Sequence, residues 1–116
     1  MLKKIYNEVT REWDSSVEEA LKSFIRLPAL SPDFDKKWEE NGVLLKALEE
    51  AKAWAEKQGI KGLRCEIIKD DGFTPCLFIE VDATSDKKFE RSVFFYGHLD
   101  KQPPNEGWDP DKSAWE

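Results

Sequence analysis

The stretch Ser92-Val-Phe-Phe-Tyr-Gly-His-Leu-Asp100 decides how this chain is read. Val93 to Tyr96 form an unbroken apolar and aromatic run with no polar face. A strand apolar on both sides is normally central in a sheet that is covered on both faces. The run ends at Gly97-His98, and His98 is the chain's only histidine. In open α/β sheets, ligand chemistry gathers just beyond the carboxyl ends of such strands. His98 and Asp100 are expected there. An imidazole beside a carboxylate at that rim suits a metal ligand and the group that orients it.

Upstream of this strand the periodicity is first helical, then alternating. Leu2, Ile5, Val9 and Trp13 recur at helical spacing and predict a helix over residues 2–13. Ser15-Ser-Val-Glu18 and Ser16-Val-Glu-Glu19 both fit a capping box, so a second helix is expected to start at Ser15 or Ser16. Val17, Ala20, Leu21, Phe24 and Ile25 give it one apolar stripe. Pro28 should end it, because proline disfavours helical geometry at the residue before it. Residues 27–32 read as extended loop. In the charged segment that follows, Phe34 and Trp38 are the expected core anchors.

A third helix is predicted from about Gly42 to Gln58, with Leu44, Leu48, Ala51 and Ala55 along one side and Gly59 as its stop. The period then drops to two. Leu63, Cys65 and Ile67 alternate with Arg64 and Glu66, which predicts a strand exposed on one face. Asp70-Asp-Gly72 signals a hairpin turn, and Cys76 to Val81 is its second strand. A turn centred on Asp70-Asp71 would set Cys65 opposite Cys76; one centred on Asp71-Gly72 would set Cys65 opposite Phe78. Asp82 to Lys88 reads as a polar loop. Helices, hairpin and a buried strand make the opening of an α/β layered domain that needs further elements to cover it.

Composition narrows the partners. At 116 residues, 40% hydrophobic and with five tryptophans, the chain fits one packed domain. A net charge of −6 with no basic patch argues against nucleic acid. No apolar run is long enough to span a bilayer. The first residues lack the pattern of a signal peptide, and a cytoplasmic chain with reduced Cys65 and Cys76 is the expectation. Trp108 and Trp115 read as substrate-stacking rings or, more simply, as parts of a core whose other half lies elsewhere.

Gly-His-x-Asp alone is too short to separate a ligand from a structural histidine. The surroundings add to it. Ile25-Arg-Leu-Pro-Ala-Leu-Ser-Pro32, Trp54-Ala-Glu-Lys-Gln-Gly59 and above all Phe95-Tyr-Gly-His-Leu-Asp-Lys-Gln-Pro103 with Gly107-Trp-Asp-Pro110 form a set spread over nearly the full chain. In these residues the chain resembles the N-terminal part of the dinuclear zinc metallopeptidases. That family includes carnosinase-like and nonspecific dipeptidases, aminoacylases, glutamate carboxypeptidases and succinyl-diaminopimelate desuccinylase; the likeness is greatest to the dipeptidase-like branch.

The resemblance implies an α/β fold in which N-terminal helices precede a short mixed sheet, as an incomplete zinc-peptidase (phosphorylase/hydrolase-like) catalytic domain. Residues 1–116 would be the N-terminal portion of that domain, ahead of the remaining metal ligands and the lid domain. His98 matches the first zinc-ligand histidine, and Asp100 matches the catalytic-site aspartate that holds it. The implied cofactor is a pair of zinc ions, and the implied substrate a dipeptide or N-acyl amino acid. Lys101 departs from the family's frequent apolar residue and is expected to point outward. Because catalytic zinc takes about three protein ligands, one imidazole cannot hold a zinc pair, and the chain by itself is expected to be inactive. The competing expectation is a non-catalytic α/β module with no metal site that self-associates through exposed sheet surfaces.

Overall fold

The structure, a computed structural model, describes residues 1–83, 85 and 91–115. The loop expected over Asp82 to Lys88 therefore lies mostly outside the described residues. The chain divides into two compact units, residues 1–28 with 104–115, and residues 29–103. Each is built by its own local rules.

In the first unit, α1 (Leu2–Glu12) passes through a π-helical turn (Trp13–Val17) directly into α2 (Glu18–Arg26). The break expected at Ser15 or Ser16 does not occur. Val17 has helical dihedrals and no side-chain cap, so neither serine forms the capping box. The cause lies in the apolar spacing. Ile5, Val9, Trp13 and Val17 are four apart, and at 3.6 residues per turn each step overshoots by about 40°. A turn closed i→i+5 takes up more residues and returns the stripe towards one face; Glu18 N–H indeed donates to Trp13 O. Lys22 bridges Glu18 at 2.8 Å and Glu19 at 3.0 Å, and these carboxylates raise its pKa. Leu27, with ψ 119°, leaves the helix just before Pro28, as proline requires. Within residues 104–115, Trp108 is exposed and Trp115 half-buried.

The second unit holds α3 (Trp38–Asn41), α4 (Val43–Lys57), β1 (Leu63–Ile68) and β2 (Cys76–Val81). Between α3 and α4, Gly42 takes φ 67°. The Asn41 side-chain oxygen accepts from Val43 N–H at 3.0 Å, satisfying a donor that the new helix leaves free. Asp35 organises the approach by accepting from Lys37 N–H at 2.9 Å and Asn41 Nδ2 at 2.6 Å. Phe34, expected as an anchor, is exposed instead, because residues 31–35 coil into a turn on the Ser31 carbonyl. Leu44, Ala47, Leu48 and Ala55 of α4 form the buried core. They lie on the helix that packs against β1, whose Leu63, Cys65 and Ile67 alternate with exposed neighbours.

β1 and β2 pair antiparallel, with Leu63 opposite Val81 and Ile68 opposite Cys76. Helices followed by this two-stranded antiparallel sheet make a mixed α/β arrangement among the described residues. Neither anticipated turn is the observed one: Cys65 faces Ile79, and both thiols are free. The loop spans residues 69–75, with Phe73 N–H donating to Asp70 O at 3.1 Å and Gly72 at φ 78°, so the pairing sits further along β2 than a two-residue turn allows. Among the described residues, no helix is long and apolar enough to cross a membrane.

The largest correction concerns residues 91–100, which form no strand. Val93, Phe94, Phe95 and Tyr96 are 79–87% exposed. Sequence patterning makes a strand possible, but a strand's backbone groups need a neighbouring strand to bond. β1 and β2 bond only each other among the described residues.

At the hairpin's open end, Gly62 has φ 79°, its carbonyl accepts from Asp82 N–H at 3.1 Å, and a Cβ there would lie 2.9 Å from Asp82 Cβ. The left-handed conformation alone costs an ordinary residue about 1–2 kcal/mol. We therefore expect Gly62→Ala to lower unfolding free energy by at least about 1 kcal/mol, read from the urea midpoint. Gly97→Ala, with open space around it and no positive φ, should change the midpoint little.

Candidate metal-ligating site

His98 and Asp100 lie in the second unit, on the segment that runs back to a backbone clip. Lys101 N–H donates to Ala29 O at 2.8 Å, and Ser31 N–H donates to Lys101 O at 2.9 Å. This forms a parallel bridge between Leu30 and Lys101. Ala29 is fully buried there. Lys101 does not point freely outward as expected; it is half-buried, and desolvation lowers its pKa. The clip has a legible origin. Pro28 disfavours helical geometry at Leu27 and Pro32 at Ser31, so the chain is out of helix on either side of Ala29 and Leu30 and its backbone groups there can bond a passing segment. Bridge partners some seventy residues apart leave no local pattern, so the sequence of residues 27–32 shows only a loop.

The clip holds the residue after Asp100, and Asp100 in turn holds His98. His98 Nδ1 lies 3.1 Å from Asp100 Oδ1 and 3.1 Å from Asp100 O. A carbonyl and an ionised carboxylate offer only acceptors. Nδ1 therefore carries a proton and donates to both, and in the neutral ring the lone pair is then on Nε2. The imidazole is exposed at 72% against 38% for the Asp100 side chain, so the ring is presented outward from a more sheltered anchor. A neutral imidazole fixed through Nδ1–H to a carboxylate is the arrangement that suits a metal-ligating histidine.

The two residues expected to act together are thus brought together. Their surroundings are not those expected, since no buried strand leads to them. No group of three or more His, Cys, Asp or Glu side chains able to hold a metal occurs among the described residues. The other acids sit in different roles: Glu80 and Asp82 both pair with Arg64 at 2.9 Å and raise its pKa, and Asp109 pairs with Lys112 at 3.0 Å. What the described site offers chemically is one oriented nitrogen donor.

No protein-family model matches the chain, and no curated protein matches it.

Removing the Asp100 carboxylate takes away one of the two acceptors that select the Nδ1–H tautomer. Asp100→Ala should shift His98 towards the Nε2–H tautomer, seen as an exchange of the two ring nitrogens' ¹⁵N chemical shifts. Asp100→Asn, which keeps an acceptor oxygen, should shift it less.

Proposed function

We propose that this chain supplies the first metal-ligating segment of a zinc-dependent peptidase or amidohydrolase, with dipeptides or N-acyl amino acids as the substrate class. The observation that carries the reading is the His98–Asp100 pair, with Nδ1 engaged by two oxygens at 3.1 Å and the ring exposed. The resemblance around Phe95 to Pro103 and Gly107 to Pro110 supports it. On this reading residues 1–116 belong to an α/β catalytic domain whose other ligands lie beyond this chain.

The residues present fit part of a metal site. His98 would hold one ion through Nε2, and Asp100 would set the ring's tautomer and angle and strengthen the nitrogen as a donor. Zinc, when held by a full ligand set, polarises an amide carbonyl and makes water a better nucleophile. Asp100 serves that chemistry through His98 and is a positioning residue. A single imidazole falls short of the roughly three protein ligands a catalytic zinc takes, so the proposal assigns the isolated chain no activity.

A second reading, a non-catalytic self-associating module, is favoured by one observation: the exposed run Val93 to Tyr96. Apolar surface of that kind recruits partners.

The deciding experiment translates the reading frame onward from Glu116 and assays the zinc-loaded product against dipeptides and N-acyl amino acids. Activity that falls at least about a thousandfold in His98→Ala and about ten- to a hundredfold in Asp100→Ala is expected, the latter being the usual cost of losing a ligand's orienting partner. Absence of further Asp, Glu and His codons in frame, or activity indifferent to His98→Ala, would defeat the reading. The 116-residue chain should show no zinc-dependent hydrolysis.

A further inference from the structure

The peptide group between Asp100 and Lys101 is engaged at both ends. Its N–H, which belongs to Lys101, donates to Ala29 O at 2.8 Å. Its C=O, which belongs to Asp100, lies 3.1 Å from His98 Nδ1 and accepts the ring proton. The group is trans, as are all those described, and a trans peptide is a rigid plane with N–H and C=O pointing in opposite directions. Fixing the N–H therefore fixes where the carbonyl points, and with it one of the two acceptors that hold the imidazole. The other acceptor, Asp100 Oδ1, also at 3.1 Å, sits on a side chain that can turn about its own χ angles.

The far end of this relay is firmly seated. Ala29 is 0% exposed, the most buried of the described residues. Ser31 N–H donates to Lys101 O at 2.9 Å, a second bond that stops Lys101 from turning about the first. Hydrogen bonds in series also polarise one another, so donation by Lys101 N–H makes Asp100 O a stronger acceptor for the ring.

We propose that the Ala29 carbonyl is a positioning group for His98, acting through the Asp100–Lys101 peptide, so that residues 29–31 lock a ring orientation that Asp100 Oδ1 alone would leave loose. The Lys101 side chain takes no part in this; its backbone N–H and C=O do. Asp100 then orients the ring twice, by a carboxylate that substitution removes and by a carbonyl that substitution keeps. Asp100→Ala leaves the ring half held for that reason. The role rests on reading His98 as a metal ligand, but the ring's tautomer is measured with neither metal nor substrate present, so the relay and that reading can fail separately.

The ¹⁵N chemical shifts of the two ring nitrogens, recorded on the metal-free chain at a pH where the imidazole is neutral, give the ratio of Nδ1–H to Nε2–H tautomer. Lys101→Pro removes the N–H and keeps the Asp100 carbonyl. It should lower the ratio by about two- to tenfold, the loss of one acceptor's net hydrogen bond. Lys101→Ala keeps the N–H and should leave the ratio unchanged. Lys101→Pro added to Asp100→Ala should lower it further than either alone, because it frees the acceptor that Asp100→Ala retains. Amide shifts of β1 and β2 check that each variant keeps its fold. Should Lys101→Pro not fold, hydrogen exchange in the unsubstituted chain still decides: the Lys101 amide should exchange at least about tenfold more slowly than an unstructured one, and mild urea should release it over the same range in which the Nδ1–H tautomer is lost. A ratio unmoved by Lys101→Pro in a folded chain, one moved as far by Lys101→Ala, a double variant no different from Asp100→Ala, or a freely exchanging Lys101 amide would each overturn the proposal.

Discussion

The second unit depends on one contact, the apolar stripe of α4 against β1. Two strands alone are marginal in water. Leu44, Ala47, Leu48 and Ala55 give the hairpin a surface on which to bury Leu63, Cys65 and Ile67. That choice has a consequence for the rest of the chain. The helix face is taken up by the hairpin, and the described residues provide no second apolar layer for the run from Val93 to Tyr96.

The backbone carries what the side chains do not. With no strand to hold it, the segment around His98 is fixed at Lys101, whose N–H and C=O both bond the stretch from Ala29 to Ser31. Such a clip needs no particular side chain, only a backbone kept extended by flanking prolines. Asp100 sits between the clip and the imidazole and joins them. Elsewhere on the hairpin, Arg64 pairs with both Glu80 and Asp82.

Much of the fold was legible because its signals are local. The start of α1, the end of α2 before Pro28, the span of α4 and the alternation of β1 all follow from spacing or from single residues with strong backbone preferences. The misses share a different cause. The capping box at Ser15 and Ser16 does not form because the helix runs on through a π-helical turn, which leaves no free helix start there to cap. The hairpin register slipped because three turn-forming residues in a row allow several turns, and only the pairing decides among them. The buried strand failed because burial is a property of neighbours, and none of the described residues supplies one. The contact between His98 and Asp100 was legible for the same reason the helices were. Its partners are two residues apart.

That short separation has a kinetic meaning. Bringing an imidazole and a carboxylate together across a dipeptide requires almost no loop closure, whereas a sheet-borne site must await the slowest non-local contacts. The ring's tautomer can therefore be chosen early, while distant parts of the chain are still unassembled.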